Sequence, residues 1–209
     1  MEKIKEPKLK LYEIKSIKEC IEEENYSNLK IVFDSMESLN LDNITFNNCE
    51  ICKVDFSKIK LNNIGFVDCI LKECDFSNLI LENTYLKRCV FDDCKMVGTN
   101  FINCSLTDVK INNCNLKYSN ICETKINNVL FKNLNLIDSR FIDCGTKNFI
   151  IEHCEFNRAE IINCELQSVN FNDSNISEVN IDLKSLKGII VNQYQAVMLS
   201  GLLGIIVQD

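Results

Sequence analysis

From Leu41 to Val191 nearly every fifth residue is large and apolar. Leu41, Phe46, Ile51, Phe56 and Leu61 open the series, and it keeps one phase through Phe101, Phe141, Ile161, Ile181, Leu186 and Val191. Of the 31 positions only Thr146 misses, so no inserted loop interrupts this span unless its length is a multiple of five. A second column lies two residues before each centre, from Ile44 to Val179. It holds Cys, Val, Ile, Leu, Thr, Ser and Ala plus Phe149, and none of its 28 positions carries a charge although a quarter of the chain is charged. A helix repeats near 3.6 residues and a strand at 2, and neither keeps a five-residue phase over this length. The pattern predicts an all-β solenoid whose unit buries one large and one small side chain, with stacked neighbours completing the core.

Outside this run the pattern changes. Ile14, Ile17, Cys20 and Ile21 are spaced mostly three or four apart in a charged background, which predicts an amphipathic helix from about Tyr12 to Glu24 that caps the first coil; Leu9 and Leu11 precede it in the same spacing. Tyr26, Ile31 and Met36 fall in phase with the main series, so the first coil is expected near Tyr26. At the other end the repeat stops at Gly188. Asn192 with Gln195 offers a capping box, Gly204 a stop, and Ile205 to Val207 a short strand. The expected division is a capping segment over 1–30, the solenoid over 31–188, and a C-terminal helix and strand over 189–209. Within the solenoid, Thr146 and Phe149 invite a swapped packing in which Phe149 fills the space Thr146 leaves. Asn and Asp crowd the position two after each centre, where short polar side chains suit corners.

Charge and chemistry narrow the function. A formal charge of −7 argues against direct nucleic-acid binding, which draws its affinity from Lys and Arg on phosphates. No apolar run reaches the length of a signal or membrane span, and a cytoplasmic location is expected. Ten of the thirteen cysteines (Cys49, Cys69, Cys74, Cys89, Cys94, Cys104, Cys114, Cys144, Cys154 and Cys164) sit in the small inward column and read as free, packed thiols. Cys49-x-x-Cys52 resembles half a zinc site, but one member points inward and the other outward. The one histidine, His153, is an outward residue without a visible nucleophile or orienting acid, and the chain has no phosphate loop. A filled, flat-sided solenoid offers no concave pocket. No enzyme activity, cofactor or metal is expected.

The two columns resemble the pentapeptide-repeat family: Cys74-Asp75-Phe76-Ser77-Asn78, Thr99-Asn100-Phe101 and Cys114-Asn115-Leu116-Lys117-Tyr118 fit its small, Asn or Asp, Leu or Phe, polar, polar unit. The resemblance implies a right-handed quadrilateral β-helix with a 20-residue coil, and seven to eight coils at about 4.8 Å make a rod of roughly 35 Å. Gln195-Ala196, Leu199 and Leu203-Gly204-Ile205-Ile206-Val207 resemble the end of the Qnr and MfpA quinolone-resistance proteins. Cys94 to Phe101 and Ser185-Leu186-Lys187-Gly188 resemble their chromosomal Gram-positive branch. That resemblance implies a non-enzymatic DNA mimic that binds DNA gyrase and topoisomerase IV and protects them from fluoroquinolones. It also implies an end-to-end homodimer, here through Tyr194, Val197, Met198, Leu199, Leu202, Leu203 and Ile205. The unbroken phase leaves no room for the two loops of Gram-negative Qnr proteins.

At four units per coil the side centred on Leu41 carries Asp42, Glu82, Glu123, Asp143, Glu160 and Asp182 against Lys60 and Arg140, a candidate acidic partner-binding face. The side centred on Phe46 is net basic, with Lys87, Arg88, Lys125, Lys147 and Lys187 against Asp68, Asp108 and Glu165. The alternative function is a scaffold of the same family that binds another protein through a flat face.

Overall fold

The computed structural model describes residues 3–11, 13–32 and 39–208. Met36 and Tyr12 lie outside these. The chain winds into a four-sided parallel β-solenoid in which the strands of successive coils pair at an offset of 20 residues. Leu81 pairs with Phe101, Phe101 with Ile121, Ile121 with Phe141, Phe141 with Ile161, and Ile161 with Ile181. One eight-stranded sheet forms the side centred on Leu41, and a ten-stranded sheet wraps the next two sides. It does so because the strands Tyr85–Asp92, Ser105–Asn112, Lys125–Lys132 and Gly145–Glu152 each run through a corner without a break. The fourth side is a ladder of single bridges, Asp55 to Asp75 to Lys95 to Asn115 to Asn135 to Glu155 to Asn175.

The two inward columns make one core. Phe56 stacks on Phe76 with centroids 4.6 Å apart, and Phe46 stacks on Phe66 at 5.2 Å. All ten cysteines of the small column are buried and free. Their thiols donate to carbonyls of the coil below, as Cys69 does to Phe46 at 3.3 Å and Cys89 to Phe66 at 3.2 Å. Hydroxyls at the same site do likewise, Thr99 bonding the Phe76 carbonyl at 2.7 Å. The column excludes charge, and where it carries Cys or Thr the side chain can add a weak donor to a carbonyl of the coil below.

The corners explain the Asn and Asp enrichment further than side-chain bonding does. Asn43, Asn48, Asn63, Asp68, Asn103, Asn113 and Asn163 all have left-handed backbone, with φ between 51° and 57°. An L-residue with Cβ loses about 1–2 kcal/mol there, and Asn and Asp tolerate it best. Each corner N–H then reaches the next coil, Asn48 to the Val67 carbonyl at 2.9 Å and Asn43 to that of Asn62 at 3.0 Å. Corner side chains add ladders of their own, such as Asn133 to Asn113 at 2.9 Å and Asn103 to Asn83 at 2.6 Å.

The swapped packing is present. Phe149 is buried with its ring edge-on to Phe131 at 4.9 Å, Thr146 turns its hydroxyl to the Glu165 carbonyl, and the strand keeps register with Lys125–Lys132.

Both ends depart from expectation. The N-terminal helix α1 is only Ile17–Glu22, because a capping box of Ser16 and Glu19 fixes its start. Glu13–Lys15 is instead a strand paired with Leu29–Val32, so Ile14 points outward and is no part of an apolar helical face. Ile17 and Cys20 are buried in the core, whereas residues 3–11 run along the flank of the rod. At the far end a short helix α2 (Leu183–Leu186), capped by Asp182, was not foreseen. Helix α3 (Gln193–Ser200) starts at the Asn192 and Gln195 capping box, continues as one 3-10 turn over Gly201–Leu203, and stops at Gly204 with φ of 73°. Ile205 to Val207 form no strand, since no segment of the same chain lies beside them.

Phe76→Ala is expected to lower the free energy of unfolding by about 3–5 kcal/mol in urea, since the ring contacts Phe56 and Phe91 and the coil stack cannot collapse into the gap. A loss below about 1 kcal/mol would contradict a rigid packed column.

Candidate interaction surfaces

The interior offers no room for chemistry. Its voids, such as those beside Phe149 and beside Leu116, are about 10 Å³ each, at or below the size that holds one water. Burial, with no cation beside them, pushes the Cys104 and Cys154 thiols up to about 11, so they stay protonated and inert. Cys49 is buried and Cys52 half-buried, pointing opposite ways. Among the described residues no group of three His, Cys, Asp or Glu side chains is disposed to hold a metal, and no helix is long and apolar enough to cross a membrane. His153 faces solvent, its Nδ1 3.5 Å from an Asp173 carboxylate oxygen.

The Leu41 side brings the six predicted acids onto one flat sheet and its borders but does not leave them equivalent. Asp42, Glu82 and Glu123 are exposed and make no ion pair or hydrogen bond among the described residues. Asp143 is exposed and accepts from the Asn163 side chain. Glu160 is neutralised by Arg140, whose Nε donates to it at 2.6 Å. Asp182 is occupied as the cap of α2: partial burial opposes its ionisation, but hydrogen bonds from Ser185 and the backbone N–H groups of Asn163 and Ser185 hold its carboxyl below the usual range. The available row is thus Asp42, Glu82, Glu123 and Asp143, spread over five coil steps or roughly 24 Å. One strand of B-DNA carries about seven phosphates over that length, so the row is sparser than duplex.

The C-terminal end is the apolar surface. Helix α3 seats two residues on the last coil: Gln195 donates to the carbonyls of Phe171 at 2.9 Å and Ser174 at 2.8 Å, and Leu199 packs beside Phe171, Ile176 and Ile189. Leu199 is therefore core and not available to a partner, which corrects its place among the predicted interface residues. Tyr194, Val197, Met198, Leu202, Leu203 and Ile205 do lie exposed together with Ile206 and Val207, Tyr194 at 88% and Ile206 at 86%. An apolar group of this size on one end of a rod marks a contact surface.

The third surface was not legible in the five-residue pattern. Residues 3–11 lie along the corner between the Phe46 and Ile51 sides, and between this arm and the rod opens a cleft of about 950 Å³ whose floor is the Asp68 and Arg88 ion pair. The expectation of a flat, pocketless rod fails here because a segment outside the repeat supplies the second wall. Its alternation of lysines with Ile4, Leu9 and Leu11 was the available signal.

The fold and its surfaces define a non-globular repeat protein built to present faces, a corner and an end. The family model of the pentapeptide repeat region matches residues 64–141, and the structure carries the same five-residue unit and 20-residue register beyond both limits. No curated protein is significantly similar in sequence. Similar solved structures include full-length QnrB1, a plasmid-mediated fluoroquinolone resistance protein, at 15% identity over 82% of this chain and 100% of that one, with a TM-score of 0.38. HetL, a pentapeptide repeat protein involved in heterocyst differentiation regulation from the cyanobacterium Nostoc sp. strain PCC 7120, is 13% identical over 85% of this chain and 96% of that one, with a TM-score of 0.40. Rfr23 from the cyanobacterium Cyanothece 51142 is 13% identical over 78% and 91%, at 0.30.

In the native protein, iodoacetamide is expected to label only Cys52 and Cys122, the two half-buried thiols, and to reach the others only in denaturant. Mass spectrometry of the labelled peptides checks this, and native labelling of Cys69 or Cys94 would contradict the packing.

Proposed function

We propose that this chain is a non-catalytic interaction protein that offers its acidic Leu41 side to the cationic DNA-binding groove of a type II topoisomerase, DNA gyrase or topoisomerase IV. In that role it would protect the enzyme from fluoroquinolones. The observation that carries the reading is the row of exposed carboxylates with no cation paired to them, Asp42, Glu82, Glu123 and Asp143, on one flat parallel sheet and its border. A rigid sheet holds such charges without reorganisation, and at spacings of a Debye length or less their fields add. The choice of topoisomerase rests on the resemblance of Gln195-Ala196 and Leu203 to Val207 to the quinolone-resistance proteins. We further propose that the exposed end of α3 pairs with a second copy about a two-fold axis, doubling the length of the acidic row.

Purified protein is expected to inhibit gyrase supercoiling at high concentration and to reduce ciprofloxacin-stabilised cleavage at lower concentration. Glu82→Lys with Glu123→Lys should weaken both effects at least tenfold and flatten their salt dependence. A wild-type protein without either effect on gyrase and on topoisomerase IV would discard the reading.

Sedimentation should give a dimer for the wild type and a monomer for Val197→Glu with Leu203→Glu, both exposed, with an unchanged circular dichroism spectrum. A wild-type monomer at micromolar concentration would remove the doubled row.

A further inference from the structure

The N-terminal arm lies antiparallel to the rod axis on one corner ladder, and the way it is held shows what that corner recognises. Asn48 makes a two-point contact with the main chain of Lys10: its Oδ1 accepts from the Lys10 N–H at 3.0 Å and its Nδ2 donates to the Lys10 carbonyl at 3.1 Å. Three and four coils away, Asp108 accepts from the Lys5 N–H at 3.1 Å and the Asn128 amide donates to the Lys3 carbonyl at 3.3 Å. All four bonds go to arm backbone, so they select an extended chain and not a sequence. Two arm side chains make specific contacts with the rod. Ile4 is buried against the rod, and Glu6 pairs with Lys110. Lys3, Lys5, Lys8 and Lys10 point to solvent.

The geometry suits a peptide beyond this one. From Asn48 to Asn128 is four coils, about 19 Å, while Lys3 to Lys10 spans about 23 Å when extended. The excess is taken up where the arm arches over Asp68 and Arg88, leaving the open cleft beneath it. The rail is ordered by its neighbours: at Arg88, Asp108 and Asn128 the strands run unbroken through the corner, and its side chains are held in a ladder by Arg88 on Asp68 and Asn128 on Asp108. Asp108 and Asn128 are both buried, and each bonds the arm.

We propose that this corner is a docking rail for an extended segment of a partner protein in which an apolar residue is followed two positions later by Asp or Glu, and that the chain's own arm occupies the rail until such a segment displaces it. Being tethered, the arm competes at an effective concentration in the millimolar range, so it keeps the rail closed to weak or unsuitable peptides.

The test uses the full-length chain and a fluorescein-labelled peptide with the sequence of residues 1–11. Ile4→Asp is expected to release the arm, seen as faster hydrogen exchange at the Lys5 and Lys10 amides with exchange of the coils from Phe66 to Ile161 unchanged. The peptide should bind this variant more than about tenfold tighter than it binds wild type, which follows from losing a buried Ile in the competing arm. Adding Lys110→Glu should weaken that binding roughly three- to fivefold, the effect of a half-exposed ion pair, and a peptide with Glu in place of Ile4 should not bind. Equal amide exchange in wild type and Ile4→Asp would overturn the seated arm. No peptide binding once the arm is released, or equal binding of the altered peptide, would overturn the rail.

Discussion

The structure depends on one constraint, that each five-residue unit must close its backbone hydrogen bonds on the coil next to it. A solenoid side is a parallel strand with no sequence neighbour to pair with, so its N–H and C=O groups find partners in the adjacent coil, apart from those that close local turns such as Leu79 on Phe76. A unit of any other length would carry the following residues off the ladder. This is why the phase is held so strictly from Leu41 to Ile181, and why Thr146 costs nothing in register: the backbone keeps time even where the side chain fails, and Phe149 refills the core from the neighbouring column. The corner conformation follows from the same demand. A sharp turn every five residues that still aims its N–H along the axis requires left-handed backbone at one position, and the chain meets this mostly with Asn and Asp and once in the middle of the run with Gly98.

The small column follows in turn. The space left beside the stacked large side chains takes uncharged residues from Ala and Ser up to Val, Ile and Leu, with Phe149 entering where Thr146 makes room. Carbonyls of the coil below face part of that space, and a thiol or hydroxyl there gains a hydrogen bond to them. Thirteen cysteines in one chain thus need neither disulfides nor metal to account for them. At Cys104 and Cys154 the burial that makes them good filler also raises the pKa and removes reactivity, so packing and inertness have a single origin there.

What was legible in the sequence was whatever the five-residue beat controls. The coil length, the inward cysteines, the swap at Thr146 and Phe149, and the grouping of acids on the Leu41 side all follow from counting, because a rigid register converts sequence position into location. The misses lie where the beat is absent or where a second bond changes a residue's role. Helix α1 is shorter than its apolar spacing suggested because Ser16 and Glu19 cap it locally and the strand Glu13–Lys15 pairs more favourably with an open sheet edge. Counting also treats carboxylates alike, whereas Glu160 has Arg140 directly one coil below it and Asp182 caps a helix. Leu199 belongs to the same class: its spacing matched the exposed face of α3, but Gln195 fixes the helix rotation by bonding two terminal carbonyls, and that rotation turns Leu199 inward.

The same constraint locates function. Along the sides the ladders engage the backbone, so what those sides present is outward side chains, the acidic row among them. The places where the ladder ends or is overlaid behave differently. At the C-terminal end Gln195 satisfies the last carbonyls and leaves apolar residues facing out, a surface suited to burial against a flat copy of itself. Along the Phe46 corner the polar ladder side chains still have hydrogen-bonding capacity left after bonding each other, since an amide or carboxylate has more than one donor or acceptor position. Asn48, Asp108 and Asn128 spend that remainder on the main chain of residues 3–10. A corner ladder of Asn and Asp is thus both a structural necessity of the coil and a surface able to hold an extended chain. Where such a ladder has an arm of suitable length beside it, occupation of the corner becomes a property that a competing segment can change.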